Sequence, residues 1–318
     1  MKLLKVALVI IALAVMLVSC QQPYEVTSPH WELVTKHAAF SPRDSAEGVV
    51  FNGEMWLTNG WEAAYEYPWD LWKTADGENW VKVMDEPPGV PYSRLVVFKG
   101  KMWSFGVDTW SSVNGVDWVL EETEMPCPLY RVVEFQDKLW TLGHSDGVWC
   151  TDNGINWQCV VEHAPFGERY TSDVVAYDNK LWLLGGMRGT YDLELGHEKG
   201  TVTSEVWCSD DGADWQLVAN APWPPRMWFR SIVFDGKIWV LSGFDGTGYV
   251  TNRGTTLDYD NNNFNDAWTT TDGVNWVEVE CYPVWKQRHA PLSLVFDNAL
   301  WVIGGKCRNV YNDVWKLV

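Results

Sequence analysis

Arginine is the residue type that first suggests chemistry in this chain. Only ten occur, and seven precede or begin a short apolar segment: Arg43, Arg94, Arg131, Arg169, Arg226, Arg230 and Arg288. Each such segment ends in an aromatic residue. The position four before that aromatic reads Glu47, Arg94, Arg131, Asp173, Arg230 and Leu292 along the chain. Three guanidinium groups at one level can clamp a carboxylate or another anion through paired N–H donors. Glu47 and Asp173 beside them can do acid–base work on a bound molecule. Alternatively these acids, or Glu134, simply neutralise the arginines, and the sequence leaves both readings open.

Aromatic residues come second. The chain has 23 tryptophans, and all but five obey a repeat. The five left over are Trp61, Trp69, Trp223, Trp228 and Trp285, and Tyr65, Tyr67, Tyr92, Tyr130 and Tyr170 fall in the same class of segment. Such rings on a rim stack on sugars or grip a peptide; turned inward, they plug loops. Asp258-Tyr259-Asp260-Asn261-Asn262 and Asp266 offer oxygen ligands at alternate positions, but the glycine turn and closing glutamate of an EF-hand are missing. The run reads as a solvated polar loop, and no metal or cofactor is expected. The six histidines are scattered, with no nucleophile–base pairing to read as catalytic.

These residues are positioned by an internal repeat. Six times an apolar strand ends in an aromatic: Phe51, Phe98, Phe135, Tyr177, Phe234 and Phe296. A polar turn follows, of which Asp235-Gly236-Lys237 is the clearest. A second strand then carries a tryptophan five residues after the aromatic: Trp56, Trp103, Trp140, Trp182, Trp239 and Trp301. This is a β-hairpin pattern. Behind it, paired tryptophans lie eight apart (Trp72/Trp80, Trp110/Trp118, Trp149/Trp157, Trp207/Trp215, Trp268/Trp276) around turns such as Thr74-Ala75-Asp76-Gly77-Glu78-Asn79. Asp-Gly and Asn-Gly suit a tight turn because glycine takes positive φ at little cost. Unit six stops after Asn312-Asp313-Val314-Trp315-Lys316-Leu317-Val318, without a fourth strand. His30-Trp31-Glu32-Leu33-Val34 resembles an orphan fourth strand and can close the ring, removing both open edges. The fold expected is all-β: a six-bladed β-propeller of four-stranded antiparallel blades over residues 28–318, with first strands lining a central channel.

In such a meander the first-to-second and third-to-fourth turns share one face, here short and uniform. Second-to-third loops and blade connections form the other, variable face, where function is expected. Its longest loops are Met187 to Ser204 and Phe244 to Asn265, with Trp61 to Trp69 in unit one.

Gly185-Gly186, Gly304-Gly305, Asn265-Asp266-Ala267-Trp268, Asn312-Asp313-Val314-Trp315 and the arginine eight before the aromatic (Arg43, Arg169, Arg226, Arg288) resemble kelch repeats of the galactose-oxidase-like type. Units two and three lack the double glycine and that arginine. The Ser/Thr-x-Asp-Gly-x-x-Trp hairpins are similar to the Asp-box of sialidase-type propellers. Both resemblances imply a propeller and neither an activity. The kelch resemblance implies ligand sites at the channel mouth and makes the repeated arginine a structural element, expected to bond between blades. The copper-ligand set of galactose oxidase has no counterpart. Arginines beside acids would suit sialic-acid mutarotases or sialidases, although the arginine motif that opens sialidase sequences is missing.

Met1 to Ser19 reads as a secretory signal: Lys2 and Lys5, then the apolar run Val6 to Val18, too short for a span. Leu17-Val18-Ser19-Cys20 resembles a bacterial lipobox, implying lipidation of Cys20, a tether over residues 20–27 and display at the cell envelope, at the outer membrane or cell surface. The formal charge of −18 opposes nucleic acid as a partner. Of the remaining six cysteines, Cys281 with Cys307 is the pairing expected first and Cys150 with Cys159 second. The functional expectation is a monomeric, membrane-anchored recognition module for a glycan or peptide. An enzyme on sialic acid or a related acidic sugar comes second, and a structural subunit of an envelope complex third.

Overall fold

The computed structural model describes residues 30–62, 66–89, 93–123, 131–142, 146–192, 197–247, 262–280 and 285–318. Among them there is no helix, and every strand pairing is antiparallel.

The five-residue spacing has a direct cause. In all six hairpins the indole Nε1–H of the second-strand tryptophan donates to the carbonyl of the aromatic five residues earlier. Trp56 donates to Phe51 at 3.1 Å, Trp182 to Tyr177 at 2.9 Å and Trp301 to Phe296 at 2.9 Å, with Trp103, Trp140 and Trp239 alike. The turn at the far end is equally local. Asp76 Oδ1 accepts the backbone N–H groups of Glu78 and Asn79, Gly77 N donates to Thr74 Oγ1, and Trp80 Nε1 donates to the Gly77 carbonyl. That glycine is required twice over. Its φ is +77°, and a Cβ there would drive into the Trp301 ring of the neighbouring unit.

These hairpins join into six four-stranded sheets in simple sequential order, plus one three-stranded sheet. The first strands are Glu47–Phe51, Arg94–Phe98, Arg131–Phe135, Asp173–Tyr177, Arg230–Phe234 and Leu292–Phe296, and each touches the next until Leu292–Phe296 meets Glu47–Phe51. The last sheet is completed by Trp31–Thr35, which pairs with Val310–Leu317 in the register Trp31↔Leu317 and Leu33↔Trp315. Closure therefore uses Trp31, which is fully buried.

The seventh sheet corrects one expectation. The Met187 to Ser204 segment is not an irregular loop. Met187–Asp192 pairs with His197–Val202, and Arg169–Tyr170 adds a short third strand. Gly189 faces Gly200 across the ribbon, where a Cβ on either would collide with the opposite backbone.

Candidate ligand-binding site at the channel mouth

Subtracting structural roles defines what is left for function. Arg43, Arg169, Arg226 and Arg288 have no exposed side-chain atoms. Each donates to the carbonyl sixteen residues on: Asn59, Gly185, Ser242 and Gly304. Each also holds an acid in or just before the third strand of its own unit: Asp70, Glu205, Asp266 and Asp313. The staple thus lies within a unit, not between units, because the carbonyl and the acid both belong to the sheet the arginine leads into. It also shows that Asn59-Gly60 and Ser242-Gly243, with positive φ at both residues, are the double-glycine turns of units one and five.

Three residues before each arginine sits an aromatic plug: Phe40, Phe166, Trp223 and Trp285, each at most 1 % exposed. This corrects the expectation for Trp223 and Trp285, which are core residues rather than rim residues. Trp223 packs edge-on against Trp276, and Trp285 edge-on against Trp31 with its Nε1 donating to Ser242 Oγ.

The three first-strand arginines converge on one acid. Glu47 Oε1 lies 2.6 Å from Arg94, 3.5 Å from Arg131 and 4.0 Å from Arg230, although these residues come from four different units. Arg131 Nε is 2.9 Å from Asp173, whose other oxygen accepts the Ser231 N–H at 2.6 Å. Arg230 donates to the Pro291 and Ala46 carbonyls. Burial pushes the Asp173 carboxyl above its usual range, with Arg131 opposing the rise. Pairing with Glu47 and Asp173, one of the alternatives open in the sequence, is therefore present, whereas Glu134 is exposed on the other side of its strand. The network is charged, but its acids already occupy the arginines.

Three of the expected rim indoles, Trp61, Trp69 and Trp228, are half-buried. Trp61 is edge-on to Tyr67, with ring centres 4.9 Å apart, and its backbone bridges Asp44. Trp69 donates its Nε1–H to the Pro87 carbonyl at 2.8 Å. Trp228 stacks on Phe244 (5.8 Å, 19°) and lies 5.2 Å from His289. Its backbone is in the left-handed region, φ +51°, where the equivalent residues of units one, four and six are Ser45, Thr171 and Ala290. Tyr92 and Tyr130 lie outside the described residues.

Sequence reasoning missed three titratable neighbours of this arc. Asp44 and His289 each follow a staple arginine, and Lys306 pairs with His289 through two backbone hydrogen bonds while placing Nζ 4.0 Å from Asp44. Burial raises the Asp44 carboxyl to about 6 against the pull of Lys306. Burial, with Lys306 adding to it, lowers His289 to about 3 and keeps it neutral, with Nδ1 2.7 Å from Asn263 Oδ1. The available signal was the column after the repeated arginine: Asp44, Tyr170, Met227, His289.

Two further expectations meet the structure here. Asp266, offered as a calcium ligand, is committed to Arg226 and to Trp268 Nε1, while Asp258 to Asn261 lie outside the described residues. Cys150 and Cys159 are not bonded to each other. Cys159 pairs in register with Trp149 and Cys150 with Gln158, so alternation sends the two thiols to opposite faces. Cys281 lies outside the described residues, as does Cys20.

A ring of antiparallel sheets wound from the centre outward is a β-propeller. The chain belongs to the DUF6242 beta propeller domain family, whose model matches residues 27–317. It is similar in fold to a solved protein, YjhT, at a TM-score of 0.67 and 15 % identity, over 88 % of this chain and 96 % of that one. A search of curated proteins finds no match.

Proposed function

We propose that this chain is an exported, six-bladed, kelch-like propeller, tethered to a membrane by lipid on Cys20, that binds a glycan or peptide at its channel mouth. The observation that carries the binding reading is Trp228. A bulky residue in the left-handed region is a costly choice, and strain of this kind gathers at functional sites. Here it holds a half-buried indole where units one, four and six carry Ser45, Thr171 and Ala290 in the same conformation. Six four-stranded sheets with first strands in one closed ring support the blade count, the three-stranded ribbon being an elaboration of one blade.

The tether would leave from the uniform face, because His30 sits against Val318 where the other units make their third-to-fourth turn. The mouth then looks away from the membrane, toward a ligand in solution or on another surface.

A glycan array and a peptide library, probed with soluble protein from Gln21 onward, test the reading. Trp228→Ala and Trp61→Ala should each weaken the best binder by about tenfold or more, the usual loss at an aromatic anchor. Unchanged affinity in both would remove the mouth as the site. Palmitate labelling that persists in Cys20→Ser would remove the anchor. The arginine–acid network favours one second reading, an enzyme on an acidic sugar. Sialic-acid mutarotation or sialidase turnover that is lost in Glu47→Gln would establish it.

A further inference from the structure

Four Asn-Gly pairs occur in the chain: Asn52-Gly53, Asn59-Gly60, Asn114-Gly115 and Asn153-Gly154. This dipeptide carries latent chemistry, because glycine has no side chain to hinder attack of its own backbone nitrogen on the preceding carboxamide. The step is hydrolytic. The glycine nitrogen gives up its proton and bonds to the asparagine Cγ, the Cγ–Nδ2 bond breaks, and Nδ2 leaves as ammonia. Water then opens the cyclic imide at either carbonyl, giving aspartate or isoaspartate. Nothing is oxidised or reduced.

The fold places the four pairs differently. In units two and three the asparagine is the pivot of the third-to-fourth turn. Asn114 Oδ1 accepts the N–H groups of Val116 and Asp117 at 2.9 and 2.8 Å, and its Nδ2 donates to Asp117 Oδ2. The nitrogen that would attack, Gly115 N, donates to Ser112 Oγ at 2.8 Å. Asn153 is held alike: Oδ1 accepts the Ile155 and Asn156 N–H groups, both at 2.9 Å, and Gly154 N donates to Thr151 Oγ1 at 3.1 Å. Both glycines are buried against tryptophan rings, Gly115 at Trp56 and Gly154 at Trp103. Asn59 and Gly60 are buried as well, with Asn59 Nδ2 donating to the Ser93 carbonyl and the Asn59 carbonyl accepting from Arg43. Asn52-Gly53 is the contrast. It makes the two-residue turn between Phe51 and Glu54, with φ of +52° and +77° and both residues exposed. A Cβ on Gly53 would meet nothing within 4 Å. The Asn52 carboxamide reaches the Val113 carbonyl of unit two at 3.4 Å, longer than a typical N–H···O bond.

We propose that Asn52 is a site of spontaneous hydrolytic modification in the folded propeller, with water as the co-substrate, and that the fold shields Asn59, Asn114 and Asn153. Attack at Asn114 or Asn153 must first release Oδ1 from two donors and the glycine nitrogen from its acceptor. The net worth of those bonds slows the reaction there by at least about tenfold relative to Asn52. The product bears on the contact between units one and two. A carboxylate in place of the carboxamide loses the donor to the Val113 carbonyl, and isoaspartate adds a backbone atom to a two-residue turn that fixes the Phe51↔Glu54 register. The site is independent of the glycan or peptide reading above.

The test needs no variant that must fold. Soluble protein from Gln21 onward is held in mildly alkaline buffer and, in parallel, in concentrated urea. Samples are digested under acidic conditions and mapped by mass spectrometry, with the Asn52→Asp peptide as the mass and retention standard. In buffer, conversion at Asn52 should exceed that at Asn59, Asn114 and Asn153 by at least about tenfold. In urea the four pairs should convert at comparable rates, because the shielding contacts are gone. Conversion at Asn114 or Asn153 that matches Asn52 in buffer would overturn the proposal. So would an Asn52 that converts in urea but not in the folded protein, or the same ranking of the four pairs in both conditions.

Discussion

Arg226 offers the sharpest test of how the units are held. Its side chain has no exposure, both terminal nitrogens lie 2.7 Å from Asp266, and Nη1 also donates to the Ser242 carbonyl at 2.9 Å. The guanidinium lies 4.4 Å from the centre of the Phe264 ring. Arg226→Met keeps the bulk and removes the charge, leaving the Ser242 carbonyl without this donor and Asp266 facing an apolar side chain. Breaking a buried pair by removing one partner costs about 3–5 kcal/mol. Asp266 retains the Trp268 donor and is 17 % exposed, which argues for the lower end, about 3 kcal/mol. Unfolding entropy of roughly 2.1 cal/mol/K per residue over about 290 residues converts this to a fall in Tm of about 5 °C. Urea titration and thermal melts followed by tryptophan fluorescence measure it. The double variant Arg226→Met, Asp266→Leu leaves neither charge stranded and should cost clearly less than the sum of the single changes. A single-variant loss below about 1 kcal/mol, or additive costs in the double, would refute the staple as a stabilising element.

Three further outcomes follow from local geometry. Gly273→Ala should cost about 3 kcal/mol or more, since φ is +73° and the Cβ enters the Trp182 ring, while Gly236→Ala, at φ +66° with open space, should cost about 1 kcal/mol; paired denaturation curves compare them. Cys159 is exposed and Cys150 and Cys208 are buried, so thiol labelling with peptide mapping should find Cys159 faster by at least about tenfold. The third concerns pH. His289, lowered from 6.5 to about 3, contributes stability present above pH 6.5 and lost as pH falls toward 3. Asp44, raised from 3.8 to about 6, contributes stability present below pH 3.8 and lost as pH rises through 6. Between these limits the two slopes oppose. His289→Gln should therefore lose stability relative to the parent as pH rises from 4 to 6, by up to about 1.4 kcal/mol per pH unit, and Asp44→Asn should do the reverse. Parallel pH profiles of parent and variants would sink this assignment.

The repeat was legible because its contacts are short in sequence. The indole of Trp56 reaches the Phe51 carbonyl five residues away, and the Asp76 turn closes within four, so backbone geometry alone dictates the spacing. Closure through Trp31 was legible for the same reason: an orphan fourth strand looks like its complete relatives, and only one sheet lacks one. Resemblance among units also marked the staple arginines, though not their partners.

The seams and the channel were decided only in three dimensions. Trp223 and Trp228 stand five apart in one connection, yet one is sealed in the core and the other half-buried beside Phe244. Nothing in composition separates them; their distance from Arg226 within the wound sheet does. Arg230 bonds to the Ala46 carbonyl across 184 residues, and Arg94 finds Glu47 across 47. Such partners are set by how six twisted sheets face one another around an axis, a property no local spacing encodes. Lipid attachment at Cys20 and the recognition function rest on the sequence motif and on the proposal above. The propeller frame itself comes from periodicity, and which of its arginines and indoles face a ligand comes from packing.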